Sequence, residues 1–360
     1  MSTVLFILLG VLMFGILIAL HEFGHFITAK LCGVRVNEFA IGMGPKLLSK
    51  QGKETLYTLR LFPIGGFCAM EGEDEDTDDP RSFQKAKGWK KFIILFAGAF
   101  INFLTGILII FALFLPADSF QADVVGGFEE WSALPAQGLE VGDRFLKVDG
   151  HQMLSTGDAK VYLDRAGETA DIEVLRNGER VVLEDVRMTR TEVEIEGETY
   201  RLLGLTIGTE SISATFGVRV REVFKQAASY VRLVWVSLGD LLSGAVGLRE
   251  LSGPVGILSM VGQVGAQAQE AGVGIALALE SVVTLMAFIA INLAVMNLLP
   301  IPALDGGRIF FLLINGIYTL FTKKKLNPKY EGIINAVGLI LLLGLMAVVA
   351  VSDIFKLFGR

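Results

Sequence analysis

The chain has 360 residues, of which 52% are hydrophobic and 19% are charged, and its mean hydropathy is +0.56. These values exceed those of soluble proteins, so they predict an integral membrane protein with a water-facing part. Residues 118–210 contain 9 Lys/Arg and 20 Asp/Glu, which makes this part acidic although the net charge of the whole chain is only −6. An acidic central part excludes nucleic-acid binding through a basic face.

The first apolar run extends from Val4 to about Leu31 and contains the sequence His21-Glu22-Phe23-Gly24-His25. It lacks the basic region and cleavage site of a signal peptide, so it predicts a retained membrane-spanning helix. In a helix the two histidines share a face and can bind one Zn²⁺, and Glu22 beside them can act as a general base. The alternative is a helix end without a metal, but a glutamate inside an apolar segment is costly unless it has a function.

The loop that follows the first helix is flanked by basic residues, namely Lys30, Arg35, Lys46, Lys85, Lys87, Lys90 and Lys91. The positive-inside rule therefore predicts that residues 32–91 are cytoplasmic, and that Cys32 and Cys68 are reduced thiols. Within the loop, residues 54–62 alternate as a strand and turn at Pro63–Gly66 into a second strand, which predicts a β-hairpin. The acidic run Glu71–Asp79 is typical of a solvated loop.

The second apolar run, Phe92–Leu115, predicts another spanning helix. It carries Gly98, Asn102 and Gly106 at intervals of four residues, which places them on one face. Small and amide side chains at that spacing favour contact with a neighbouring helix. We interpret this face as an ordinary packing surface without a catalytic role.

Residues 118–210 are predicted to form a water-facing domain on the outer side of the membrane. Two strand-like runs, Arg144–Val148 and Ile172–Leu175, are each followed by a turn signal, Asp149-Gly150 and Asn177-Gly178. This pattern predicts a domain that contains antiparallel strands.

The remainder of the chain predicts one surface helix and two further spanning helices. Charged residues interrupt Phe216–Gly247, so we interpret it as an amphipathic helix on the outer membrane surface, although a spanning helix is the alternative. Ile275–Leu299 and Ile333–Val351 are apolar enough to span the membrane. Arg308 and Lys323–Lys325 between them indicate a cytoplasmic connection.

A catalytic zinc site needs three protein ligands, and the first helix offers two. His151 lies in the outer domain and Glu280 lies at the outer end of its helix, so Asp305 is the best remaining candidate. Pro300 and Pro302 stop the preceding helix at the depth of the two motif histidines. The alternative for Asp305-Gly306-Gly307 is a turn at a helix end without a ligand role.

Three segments together resemble the site-2 protease family of intramembrane zinc metalloproteases. They are the H-E-F-G-H sequence at 21–25, the phrase from Leu134 to Gly150, and N-L-L-P-I-P-A-L-D-G-G at 297–307. The middle phrase is similar to the core of PDZ domains, in which a loop and two strands frame a peptide groove. The resemblance is closest to bacterial members that carry PDZ domains outside, and it covers essentially the whole chain.

The resemblance implies the roles of individual residues. It implies His21, His25 and Asp305 as zinc ligands and Glu22 as the catalytic base. It also implies that Asn297 and Asn292 hold the backbone of the substrate. Two neighbours of the same phrase, Pro300 and Pro302, are assigned to substrate binding with them. The 54–70 hairpin is expected to lie against the membrane and to pair with the substrate.

The sequence therefore predicts a polytopic α-helical membrane protein of about four transmembrane helices. It carries an inserted extracytoplasmic PDZ-like α+β domain and a cytoplasmic-side, membrane-associated β-hairpin. The expected divisions are an N-terminal membrane part at 1–116, the PDZ-like domain at 118–210, and an amphipathic segment with the C-terminal membrane part at 211–360. The expected location is the bacterial cytoplasmic membrane, in contact with its lipid.

The expected function is proteolysis of the transmembrane segment of single-pass membrane proteins after a first extracytoplasmic cut. The family it resembles acts on anti-sigma factors and remnant signal peptides. One alternative is a membrane metal transporter that uses the same ligands, but the helices offer few further polar residues for a pathway. A second alternative is a non-catalytic PDZ scaffold, which would not need Glu22. The expected cofactor is Zn²⁺.

Overall fold

A computed structural model of the chain describes residues 3–73, 77–155, 157–195, 198–244, 247, 253, 256, 259–263, 275–324 and 328–357. The chain divides into two compact units. The first consists of Met1–Ile109 and Tyr230–Arg360, and the second is Ile110–Ser229. The segment 118–210, predicted to be a separate domain, lies within the second unit.

The helices with described bounds are α1 (Thr3–Cys32), α2 (Gly88–Phe114), α3 (Asp158–Arg165), α4 (Phe216–Ser243), α5 (Ile275–Asn297), α6 (Asp305–Thr322) and α7 (Pro328–Leu357). The strands are β1 (Val36–Gln51), β2 (Leu56–Met70), β3 (Ser119–Phe128), β4 (Arg144–Val148), β5 (His151–Gln152), β6 (Thr169–Arg176), β7 (Glu179–Arg187), β8 (Thr191–Ile195), β9 (Glu198–Leu202) and β10 (Leu205–Ser213).

Among the described residues, four helices are long and apolar enough to cross a membrane: Leu5–Cys32, Gly88–Phe114, Ala276–Asn297 and Gly332–Lys356. They lie where the sequence predicted spanning helices, and they make the chain a polytopic membrane protein. Within the described ranges α4 is not among them, in agreement with its interrupted apolar pattern. Its position relative to the membrane remains a prediction.

Small residues allow the helices of the first unit to approach closely. A Cβ atom added at Gly24 of α1 would lie 2.5 Å from the Ala97 carbonyl oxygen of α2. A Cβ at Gly106 of α2 would lie 2.5 Å from Cγ1 of Ile291 in α5. Neither position has room for a side chain, so the predicted packing face of α2 is confirmed at Gly106.

The segment between α1 and α2 forms a two-stranded sheet of long, bent strands. The first part of β1 pairs with the end of β2, from Val36 opposite Met70 to Ile41 opposite Gly66. The second part of β1 pairs with the start of β2, with Gln51 opposite Leu56. The chain reverses at 63–66 as predicted, because residues 56–59 run parallel to 38–41 whereas residues 66–70 run antiparallel to 36–41. Gly65 has φ +96° in this turn. The two arms of the reversal pair with the first part of β1 rather than with each other, so they do not form a simple hairpin.

The second unit is built on an antiparallel sheet in the order β10-β3-β4-β6-β7, with β5 paired to β4. The predicted strand at 144–148 is β4, and the one at 172–175 lies inside β6. Asn177 and Gly178 have φ +51° and +85° and join β6 to β7 by a two-residue turn, as the sequence indicated. Since β4 is paired on both sides, it has no free edge for a peptide.

A buried ion pair connects β6 to the loop before β4. The Asp143 side chain is inaccessible to solvent and accepts hydrogen bonds from Nε and Nη2 of Arg176, each at 2.7 Å. Arg176 also donates to the Gly138 carbonyl at 2.6 Å, and Asp143 accepts from the Glu140 amide at 2.9 Å. Removal of the arginine would therefore leave a buried carboxylate without its charged partner.

We expect Arg176→Ala to lower the local unfolding free energy of this sheet by about 3 kcal/mol, since it breaks a buried pair. Hydrogen exchange of the β4 and β6 amides in the full-length protein should then be about a hundredfold faster. Arg201→Ala is the control, because Arg201 is 72% exposed and lies 3.8 Å from Glu192. Equal exchange rates in the two variants would contradict a stabilising role for the pair.

Candidate metal centre

Helix α1 presents both histidines of the motif on one face. The Nε2 atoms of His21 and His25 are 3.2 Å apart, as expected for residues separated by four positions. The His25 side chain is 8% exposed, and its Nδ1 donates to the Ile94 carbonyl of α2 at 2.8 Å. This bond keeps the proton on Nδ1 and leaves the Nε2 lone pair directed at the other side chains of the site.

Asp305 reaches the same point because the chain folds back on itself after α5. That helix ends at Asn297, and Ala303 has φ +75° just before α6 begins. A Cβ atom at Gly306 would lie 2.2 Å from the Leu299 carbonyl oxygen, and one at Gly307 would lie 2.3 Å from that of Ile301. The two glycines therefore allow the first turn of α6 to pack on the preceding loop, which aims Asp305 at α1.

The donor atoms match the requirements of zinc. Oδ2 of Asp305 lies 3.1 Å from His21 Nε2 and 3.2 Å from His25 Nε2. Atoms that each lie about 2.1 Å from a tetrahedral zinc ion are about 3.4 Å from one another. The carboxylate oxygen is buried without a hydrogen-bond partner and faces a nitrogen lone pair, so a cation between them would relieve the repulsion. Two imidazoles and a carboxylate fit Zn²⁺.

Helix α2 closes one side of this cluster with backbone rather than side chains. A Cβ atom at Gly98 would lie 2.4 Å from Nε2 of His25 and 2.7 Å from Cε1 of His21. The sequence indicated only a packing face here. The structure also places Asn102, which is 1% exposed, with its amide nitrogen 3.5 Å from His21 Nδ1. The sequence signal that could have indicated this contact is the four-residue spacing of Gly98 and Asn102, which places both on one face of α2.

The cluster lies in a cavity of about 390 Å³, which Glu22 also lines. Residues 67–70, at the end of β2, form another wall, and Asn297 of α5 a third. A Cβ atom at Gly66 would lie 3.5 Å from Cγ of Glu22, so the strand runs directly beside this carboxyl. Burial, and then the charge of Glu22, raise the pKa of the Cys68 thiol. The raised pKa favours the protonated thiol, whereas only the thiolate would compete as a metal ligand.

The acidic segment after β2 contributes to the same cavity. Glu73 lines it and forms an ion pair with Arg308, one turn after Asp305 in α6. The prediction of a merely solvated loop is therefore wrong at Glu73. The reason is tertiary, since α6 supplies a cation 235 positions away in the sequence.

Other predicted substrate-binding residues do not line the cavity. The described residues that line the cavity do not include Asn292, Pro300 or Pro302. Pro302 packs on α7, where a Cβ atom at Gly338 would lie 2.3 Å from its Cβ. Asn335 of α7 also accepts a hydrogen bond from the Ala303 amide at 3.4 Å. These contacts support the loop that carries Asp305.

We expect Gly98→Ala to lower zinc affinity by about a hundredfold or more, because the added methyl group collides with both imidazoles. Gly88→Ala is the matched control, since nothing lies within 4 Å of a Cβ atom at that end of α2. The measurement is zinc content and chelator competition on the purified proteins. Unchanged affinity in Gly98→Ala would contradict the close contact between α2 and the metal centre.

Comparison with known proteins gives consistent matches over nearly the whole chain. A model of Peptidase family M50 matches residues 9–345. A Clostridium perfringens protein provisionally named a zinc metalloprotease is 36% identical over 97% of this chain and 98% of its own length. A Fusobacterium nucleatum protein with the same provisional name is 34% identical over 98% of this chain and 99% of its own. The zinc metalloprotease RasP of Shouchella clausii is 30% identical, covering 96% and 98%.

Proposed function

Since the chain belongs to peptidase family M50, the site-2 proteases, and is a zinc metalloendopeptidase, we propose that it cuts single-pass membrane proteins within their transmembrane segments. The observation that carries this proposal is the cavity in which Glu22 accompanies the metal-binding cluster. Its walls include residues of α1, α2 and α5, three helices long and apolar enough to span a membrane, together with the end of β2 and the start of α6. Membership of a peptidase family sets aside the metal transporter and the non-catalytic scaffold considered above.

The proposed roles follow from the geometry. His21, His25 and Asp305 hold the Zn²⁺, which when bound polarises the scissile carbonyl and acidifies a water molecule. Glu22 is not one of these three ligands, but it lines the same cavity. From there it can accept the proton of the attacking water. The same carboxyl then delivers a proton to the leaving amide nitrogen, so one group serves as base and acid.

The substrate segment must be extended before it can be cut, because a helix keeps its amides bonded and shields the scissile carbonyl. The end of β2 is suited to hold such a chain. It pairs with β1 through residues 66–70, and residues 67–70 also face the cavity. Strand addition there binds the substrate backbone, and Asn297 on the opposite wall can bond a further amide. This mode of binding reads little side-chain identity.

Glu22→Gln and Asp305→Asn should separate catalysis from metal binding. The Glu22→Gln protein should keep stoichiometric zinc and lose proteolysis, because an amide cannot accept the water's proton. The Asp305→Asn protein should lose both, since a neutral amide is a poor zinc ligand. Elemental analysis and cleavage of a model membrane peptide measure the two properties. Cleavage by Glu22→Gln at a rate near that of the unchanged enzyme would refute the base assignment.

We further propose the organisation predicted from the sequence, with membrane parts at 1–116 and 211–360 and a PDZ-like domain at 118–210. The PDZ-like assignment is supported by β10, which is an edge strand of the described sheet. Its outer edge can accept a peptide strand. Its residues Leu205 and Ile207 pack on the core to which α3 contributes Tyr162 and Leu163. A sheet edge beside a helix is the arrangement in which PDZ domains bind peptides.

The proposed location is the bacterial cytoplasmic membrane, with the 118–210 domain outside and the substrates already shortened by another protease. Anti-sigma factors and remnant signal peptides are the proposed classes. Only residues 115–118 separate α2 from β3. A tether of that length keeps the domain near the membrane, where it can obstruct substrates with bulky outer parts. Selection by size should therefore outweigh selection by sequence.

Replacement of residues 122–208 by a short flexible linker should allow substrates with intact outer domains to be cut, while shortened substrates are cut as before. The measurement compares long and shortened forms of one substrate in membranes that contain either enzyme. A separate Glu22→Gln version of each enzyme is the control for background cleavage. If a zinc-loaded deletion protein no longer cuts the shortened substrate, the domain recruits substrates and does not exclude them.

A further inference from the structure

The two histidines of the metal centre differ in how their outer ring nitrogens are held. Nδ1 of His25 donates to the Ile94 carbonyl at 2.8 Å in a buried environment. Nδ1 of His21 faces the side chain of Asn102, whose Nδ2 is 3.5 Å away. Histidines that bind a metal through one nitrogen generally donate the other N–H to an acceptor, which sets the tautomer and the ring orientation.

Asn102 carries an unusual feature for a buried side chain. It is 1% exposed, yet its Oδ1 has no hydrogen-bond partner. A buried amide oxygen without a partner is costly, so its position calls for a function. A half-turn about the Cβ–Cγ bond exchanges the amide nitrogen and oxygen, and the hydrogen-bond partner decides which of them faces the imidazole.

Metal binding by His21 would determine which of the two orientations the Asn102 amide adopts. Nε2 of His21 lies 3.1 Å from Oδ2 of Asp305, so it must offer a lone pair if both are to bind one cation. The proton of the neutral imidazole then lies on Nδ1, which can only donate. The atom of Asn102 that faces it must accept, and Oδ1 is the acceptor.

We propose that Asn102 is a positioning residue whose amide oxygen accepts the His21 Nδ1 proton and holds Nε2 ready to bind the metal. The inference rests on the proposed role of His21 as a zinc ligand. It makes α2 the support of both imidazoles, through the Ile94 carbonyl for His25 and the Asn102 side chain for His21. One face of α2 carries Ile94, Gly98 and Asn102 at intervals of four residues. The two acceptors on this face are the Ile94 carbonyl and the Asn102 amide oxygen, and the close contact of Gly98 with the imidazoles lies between them.

The test measures zinc affinity by chelator competition in the full-length protein carrying Glu22→Gln, so that proteolysis does not enter the result. Asn102→Leu keeps the shape of the side chain and removes the acceptor, and it should weaken zinc binding by about 10- to 100-fold. Asn102→Asp retains an acceptor and should bind zinc within a few fold of the parent. Thr105→Ala is the control on the same helix, where the Thr105 hydroxyl donates to the Ile101 carbonyl, and it should bind as the parent does.

The relative zinc affinities of Asn102→Leu and Asn102→Asp distinguish a positioning role of Asn102 from a packing role. If Asn102 only fills space, the buried charge of Asn102→Asp should do more harm than the apolar Asn102→Leu. If it accepts a proton from His21, the order is reversed. Asn102→Ala replaces Asn102→Leu if the latter does not fold, with the same expected loss of affinity.

Three outcomes overturn the inference. Equal zinc affinity in the parent, Asn102→Leu and Asn102→Asp overturns it alone and leaves the metal centre intact. Weaker binding by Asn102→Asp than by Asn102→Leu does the same. A parent protein that binds no zinc overturns both the inference and the proposed ligand set, so the two failures can be told apart.

Discussion

The close crossing of α1 and α2 is the constraint on which the metal centre depends. Gly24 and Gly98 leave no space between the two helices, and each would collide with the other helix if it carried a Cβ atom. Within a membrane, such contacts between small residues are a main source of helix association, because lipid tails solvate apolar side chains as well as protein does. The crossing also brings the backbone of α2 against both imidazoles, which restricts the orientation of His25 through a single carbonyl group.

The second constraint is the reversal of the chain between α5 and α6. A helix that continued beyond Asn297 would carry Asp305 away from α1, since eight residues of helix rise about 12 Å. The prolines prevent that continuation, and Gly306 and Gly307 allow the new helix to lie on the loop before it. The irregular backbone between α5 and α6 contacts α7 and lines the cavity, which is where a membrane protein can tolerate such backbone. The same irregularity positions Asp305, the proposed metal ligand.

A polar cavity between apolar helices reconciles peptide hydrolysis with the membrane. The Glu22 carboxyl and the Glu73–Arg308 pair would be unfavourable in hydrocarbon, and all three side chains border this one cavity. Glu73 and Arg308 border this space, while the end of β2 brings strand backbone to Glu22. Under the proposed function, an extended substrate would replace its internal helical hydrogen bonds by strand pairing beside the proposed metal ligands and base.

The sequence by itself determined the elements whose signals are local. Helical spacing placed His21 and His25 on one face, apolar length marked the spanning helices, and Asn177-Gly178 marked a hairpin turn. It also indicated Asp305, but only by elimination and resemblance. The tertiary structure decided what depends on contacts between distant segments: that Asp305 meets the histidines, that Glu73 pairs with a cation from another helix, and that Asn102 faces an imidazole. Residue types reveal which groups need partners, but only the packing of helices determines which partners they find.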